Sequence, residues 1–288
     1  MVGKREEAAW SLQELHSEHK ANGTGMTQPL EVIPASQNHA IEVMAFAVEC
    51  SQQFDSSIME TIGACYEGNC ALRELLPERE KLKGFIIKAD PKNQSVTMGD
   101  NGLRFFKKIE DKFTWIAEVR QNIISVSCFN YTRWAEARES ALTIVKPILE
   151  RLLELGVTIQ AIGLQYQDGF SVTTADAREA SANLFKPNNE WLTEHSLQQK
   201  NAWHIHQGWI SNQDDTGIIL NLLNINAIVD ESAGLTSFKI IGQHRLSGAS
   251  GSQLTVESLS GGWDALHLQN KSVLRSLLNQ GIVARIGL

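Results

Sequence analysis

Residues 132–172 read TRWAEARESALTIVKPILERLLELGVTIQAIGLQYQDGFSV, and this stretch decides the fold class. In its first part Trp134, Leu142, Val145, Leu149, Leu152 and Leu153 recur at spacings near three and four, the pattern of a helix with one apolar face. Gly156 follows as a C-terminal cap, so a helix is expected over Thr132–Leu155. Pro147 lies inside it and lacks the N–H the helix would use, which predicts a kink or a change of helix near Thr143–Lys146. Directly after Gly156 the periodicity changes to alternation in VTIQAIGLQYQDGFSV, a strand that returns alongside a sheet.

Working outward, IEVMAFAVEC (41–50) reads as a strand, followed by a helix over Ser57–Tyr66 with Asp55 or Ser56 as N-cap. Lys83–Lys88 and Ser95–Met98 read as a hairpin turning at Asp90-Pro91-Lys92-Asn93, and Asn101-Gly102 predicts a further tight turn. LRFFKKIED and FTWIAEVRQNIISVSCF then supply more strands. Beyond the polar stretch 173–200 come AWHIHQGWIS, GIILNLLNINAIVD and SFKIIGQHRL, the first two joined by a loop at 213–217. A Ser/Gly-rich linker over Ser247–Ser252 leads to a last helix from Trp263 to Leu278. The expected fold class is therefore α+β, with two lobes of largely antiparallel sheet, each packed by one long helix. The expected organisation is an appended helical or disordered tail over 1–25, an N-terminal lobe over 26–175 and a C-terminal lobe over 176–288.

A chain of 288 residues, 42% hydrophobic and 20% charged, has the composition of a globular protein able to bury a full core. Its net charge of −7 provides no generic attraction to nucleic acid or an anionic membrane. The most apolar stretch, Ile218–Val229, is interrupted by Asn221, Asn224 and Asn226 and falls short of the roughly 20 residues a membrane helix needs. The first 25 residues carry acids where an export signal needs an apolar core, so a cytoplasmic location is expected. Cys50, Cys65, Cys70 and Cys128 read as thiols rather than disulfides, since a chain of this size does not require cross-links.

Three segments carry a resemblance. Tyr131 and Trp134 form a Y-x-x-W start to the long helix, Gly163-Leu164-Gln165-Tyr166-Gln167-Asp168 forms a G-L-x-Y strand, and Asp264 with His267 forms a D-x-x-H near the C-terminus. With these the chain, over roughly 26–288, resembles a sporadically distributed family of uncharacterised bacterial and archaeal proteins. The resemblance implies no activity that can be carried over. Its patchy distribution implies the company of phage-defence and mobile-element genes.

Several constellations are candidates for chemistry. His204 and His206 are two apart on a strand and so share a face, where His195, Asp214 or Asp215 could complete a metal site; the alternative is two solvated histidines. Asp264 and His267 are three apart at a helix start and could form a base with its orienting carboxylate, or Asp264 could simply cap the helix. Arg104, Lys107, Lys108, Lys112 and Arg120, interleaved with Phe105, Phe106, Phe113 and Trp115, could grip single-stranded nucleic acid or a nucleotide; a half-buried strand has the same pattern. Phosphate-binding glycine motifs and paired Cys-x-x-Cys are absent.

The function expected from these readings is a non-enzymatic binding or regulatory protein, an accessory or sensor subunit of an anti-phage defence system. Arg104, Lys108, Arg120, Tyr131 and Trp134 are its candidate ligand- or partner-binding residues, and no cofactor is expected. The expected partner is another protein, including a second copy of this chain as a homodimer, with nucleic acid or a nucleotide reached through the basic-aromatic patch and no membrane. The alternative is a metal-dependent hydrolase or nuclease using His204 and His206.

Overall fold

The computed structural model describes residues 30–90, 93–213, 217–248 and 254–288. In chain order its elements are β1 (Val32–Pro34), β2 (Ile41–Cys50), α1 (Ser56–Gly68), α2 (Cys70–Leu75), β3 (Glu78–Asp90), β4 (Asn93–Ile109), β5 (Lys112–Arg120), β6 (Ile123–Cys128) and α3 (Trp134–Glu154). There follow β7 (Ile159–Val172), α4 (Ala177–Leu184), α5 (Glu194–Leu197), β8 (Trp203–Gln213), β9 (Gly217–Asp230), β10 (Leu235–Ser247), α6 (Ser258–Leu277) and α7 (Gln280–Arg285). The α+β class stands. The strands form one ten-stranded antiparallel sheet in the order β3-β4-β5-β6-β2-β7-β10-β9-β8, with β1 pairing β7.

The order reveals a topological repeat. In each half a leading strand lies beside the last strand of its own half, β2 beside β6 and β7 beside β10, and the rest fan outward. A long helix closes each half, α3 and then α6. The leading strands pair with each other, Met44 opposite Tyr166 and Phe46 opposite Leu164, so the two expected lobes are one continuous sheet. Because β7 leads the second half, the join falls between Glu154 and Ile159, ahead of the expected 175/176 boundary.

Alternation assigns the two faces. On β7 the side chains of Ile162, Leu164, Tyr166, Phe170 and Val172 are buried toward the helices, as are Met44, Phe46 and Val48 on β2. The helices cover this face only; on the other face the same strands present half-buried residues such as Ala45, Ala47, Gln165 and Gln167. Trp263 of α6 is fully buried, and its ring meets Phe46 edge-on at 4.9 Å. Burial of so large a ring between second-half helix and first-half strand ties the halves together in the larger of two hydrophobic clusters, the other lying around Phe170, Phe185 and Phe238.

Local expectations fare unevenly. Asp55 caps α1, accepting from the Ile58 N–H at 2.9 Å, and Gly156 ends α3 at φ +78°. Helix α3 runs from Trp134 to Glu154 as one element through Pro147. Asn101-Gly102 is not a turn: β4 runs through it, with a register shift opposite Leu82/Lys83. Gly102 has φ +153°, and a Cβ there would lie 2.3 Å from the Val119 carbonyl oxygen, so glycine serves a close strand approach. The chain reverses at Glu110-Asp111 instead, both at positive φ. The 1–25 tail, the Pro91-Lys92 turn residues, Asp214, Asp215 and most of the Ser247–Ser252 linker lie outside the described residues. Among the described residues no helix is long and apolar enough to cross a membrane, and all four cysteines are free thiols.

Candidate functional site

The chain enters α3 from β6 through Tyr131 and Trp134, α6 crosses over β7 with His267 on its inner side, and Tyr166 and Asp168 project from β7 toward both helices. Residues more than a hundred positions apart meet there. The Trp134 and His267 rings stack, with centroids 4.2 Å apart and planes 7° from parallel, and the Phe46 ring stacks on Trp134 with centroids 5.7 Å apart and planes 25° from parallel. The Tyr166 hydroxyl and His267 Nδ1 share a 2.7 Å hydrogen bond. Asp264, one helical turn before His267, accepts from Trp134 Nε1 at 2.7 Å and from Arg138 at 2.6 Å. The approach of α6 to β7 depends on Gly262, where a Cβ would lie 2.2 Å from Ile162 Cδ1.

Below the stack is a cavity of about 310 Å³, lined by Tyr131, Tyr166, Asp168 and His267, with His39 entering from the segment before β2. The His39 ring meets Tyr131 edge-on at 5.2 Å. Asp168 is 2% exposed, and its Oδ2 has no hydrogen-bond partner; His39 Nδ1 is likewise buried and unpartnered. Two orphaned polar atoms in one cavity are unusual, because buried polar groups are nearly always satisfied. The chain matches no protein-family model and no curated protein.

Burial governs the ionisation of the site. The Asp168 carboxyl is pushed up from 3.8 to about 7, mainly because its charged form is desolvated and secondarily by the negative charge of Glu42. Glu42 faces away from the cavity, held by Gln167 at 2.7 Å and by Lys239 at 3.9 Å. The Tyr131 hydroxyl is pushed up to about 12 by burial and then by Asp168, and Tyr166 is raised by burial in the same way. His267 moves down to about 4 because burial disfavours its cation, with Lys271 adding repulsion against the weaker pull of Asp264. Burial therefore favours the neutral forms of the two phenols, of the His267 imidazole and of the Asp168 carboxyl. A carboxyl raised by burial inside a cleft is a candidate functional group.

A buried polar chain supports the cavity wall. His244 of β10 is 2% exposed and bonds Asn221 Oδ1 at 2.8 Å through Nδ1 and Asn270 Oδ1 at 3.1 Å through Nε2. Burial lowers its pKa and favours the neutral ring, which has a single N–H and so donates to only one of these two oxygens. Asn270 fits only because Gly242 has no side chain: a Cβ there would lie 2.4 Å from its Oδ1. We expect Asn221→Ala to cost about 1–3 kcal/mol by leaving a His244 nitrogen unpaired. Urea unfolding checks it, and a loss no greater than that of an exposed asparagine would dismiss the network.

The residues expected from sequence divide sharply. Tyr131 and Trp134 belong to this site, as does His267. Asp264 is not the helix cap: α6 begins at Ser258, and the carboxylate instead pins Trp134 and Arg138 of α3. Arg104, Lys108 and Arg120 lie on β4 and β5, three or more strands from β7 in the sheet order. Arg104 is engaged by Glu80 and Glu118, Arg120 lies 3.4 Å from Glu118, and Lys108 packs over the rings of Phe106 and Phe113. Phe105 is buried in the core beneath the helices, so the basic and aromatic residues do not form one gripping surface. His204 and His206 share the exposed face of the outermost strand β8, where His206 Nδ1 bonds Asn224. Among the described residues, no three His, Cys, Asp or Glu side chains are grouped to hold a metal ion.

Asp168, Tyr166 and His39 were missed as site residues. For Asp168 a signal existed, since it shares strand parity with Ile162, Leu164, Tyr166 and Phe170 and so had to point into the helix-covered side. A lone acid on the core-facing parity of a strand is the pattern to look for.

Proposed function

We propose that this is a non-enzymatic binding protein that holds a small ligand in the cavity between α3, α6 and β7, and that it acts as a sensor or accessory subunit. The observation that carries this reading is the buried, unpartnered Oδ2 of Asp168, a residue that lines a cavity together with Tyr131, Tyr166 and His267. The cavity volume is at the small end of the range for ligand pockets. The location also suits a sensor. The long helix of each half meets at the cavity edge through the Trp134, Arg138 and Asp264 contacts, so an occupant there would bias how the two halves pack. A role in phage defence rests on the sequence resemblance alone.

The test is to purify the protein from its native cells at low salt and identify small molecules released on denaturation. A stoichiometric small molecule that is lost from the Tyr131→Ala variant is the expected result. A wild-type protein that carries none, and whose melting temperature no metabolite library raises, would overturn the cavity as a ligand site, since a ligand of the native state must stabilise it.

A further inference from the structure

The chemistry of the cavity narrows what it can hold. Asp168 lies on β7 between Ile41 of β2 and Ile240 of β10, with no donor of its own for Oδ2. A buried carboxylate without a donor recognises N–H or O–H groups, and it recognises cationic ones most strongly. A single bridging water does not explain the space, because the cavity of about 310 Å³ far exceeds the roughly 30 Å³ share of one water. An anion is disfavoured at this end by the ionised Asp168 itself. A metal ion would need more than one carboxylate, and none of the groups here supplies the set.

The walls add a second preference. Tyr131 and Tyr166 present aromatic rings beside the carboxylate, and ring faces attract cations when water is excluded. Arg133 and Lys271 line the same cavity from the start of α3 and from α6. Their charges oppose every positive group of a ligand, so a cation is favoured only where it pairs with Asp168, and a polyamine, whose further charges have no such partner, fits poorly.

Resting on the reading of the cavity as a ligand site, we propose that its ligand is a small organic monocation, an ammonium or amidinium compound, whose N–H groups end on Asp168 and whose carbon skeleton lies against Tyr131. Only the ionised carboxylate makes that pair, so binding competes with a proton. The charged and titratable groups that line the cavity with Asp168 are Tyr166 from its own strand, His39 before β2, Tyr131 and Arg133 before α3, and His267 and Lys271 from α6, while Glu42 of β2 and Lys239 of β10 pair on the opposite face of the sheet.

The experiment is calorimetric titration of the full chain with benzamidine, which is cationic throughout, and with its neutral analogue benzamide, at pH 6 and pH 8. For a carboxyl half-ionised at about 7, benzamidine is expected to bind about ten-fold more tightly at pH 8 than at pH 6. Asp168→Asn, shown to be folded by circular dichroism, should lose at least about ten-fold at pH 8, the scale of one charge-assisted hydrogen bond. His39→Gln should keep the pH dependence, which assigns it to Asp168. If benzamide binds wild type and Asp168→Asn as tightly as benzamidine does, the cation class is overturned while the cavity remains a ligand site. If neither probe binds and the protein from native cells carries no small molecule, both readings fall together.

Discussion

Replacing Asp168 by asparagine is expected to make the protein more stable at pH 8, by about 2–4 kcal/mol, and to leave it nearly unchanged at pH 4. The sign follows from linkage. A carboxyl group raised from 3.8 to about 7 binds its proton more tightly in the folded chain than in the unfolded one. The folded state is therefore progressively disfavoured as pH climbs from about 4 to about 7, and the penalty stays constant above that. Each pH unit of displacement corresponds to about 1.4 kcal/mol, which sets the upper figure, and the loss of the protonated acid's O–H donor trims it. His267 works in the opposite direction. Its pKa is lowered on folding, so its contribution is present at neutral pH and lost as pH falls through 6.5 toward 4. In wild type the two slopes oppose each other between pH 4 and 6.5. The variant should expose the His267 slope, with stability rising with pH over that window. Urea unfolding of both proteins at pH 4, 6 and 8 reads the difference directly. An asparagine variant less stable than wild type at pH 8 would mean that the Asp168 carboxylate has a partner and that the cavity has lost its main recognition group. A residue that costs stability where it stands is what a binding site often contains.

Trp263→Ala is expected to cost about 3–5 kcal/mol, the largest loss for a single side chain in this core and a sizeable share of the total for a typical domain. The indole is fully buried, belongs to the second half of the chain, and packs against Phe46 of the first. Its removal leaves a void under α6 just where Gly262 brings the helix against β7. Because β2 and β7 pair along most of their length, the destabilisation should pass to the whole molecule. Circular dichroism and intrinsic fluorescence should then report one coincident transition at lower urea. Two separate transitions, with residues 41–154 surviving the loss of the second half, would show that the halves fold independently despite the shared sheet.

The secondary structure was legible because period is a local property. The strands at 41–50, 159–172 and 217–230 and the helix beginning near Trp134 follow from alternation and three-to-four spacing, which a neighbouring chain segment does not alter. Asn101-Gly102 misled because a glycine at positive φ serves a bulge as well as a turn, and only the partner strand decides between them. The same limit applied to Asp264. A carboxylate near a helix start can cap it, but here the helix begins a turn and a half earlier and the side chain bonds to α3.

For the site, the family resemblance singled out Tyr131 with Trp134 and His267 with Asp264 in separate motifs, without saying that they touch. Their meeting depends on β2 and β7 pairing at the centre of the sheet, which stacks α3 against α6 and is a matter of long-range register. The pairing of Arg104 is hidden from sequence for the same reason, since Glu80 and Glu118, which engage it, come from the two strands flanking its own. Sequence by itself determined the α+β class, most of the strands and the two long helices, and it contained the parity that turns Asp168 inward. Tertiary structure alone decided that the halves share one sheet and that the inward acid opens into a cavity without a partner, because charge pairing and cavities depend on which distant segments pack together.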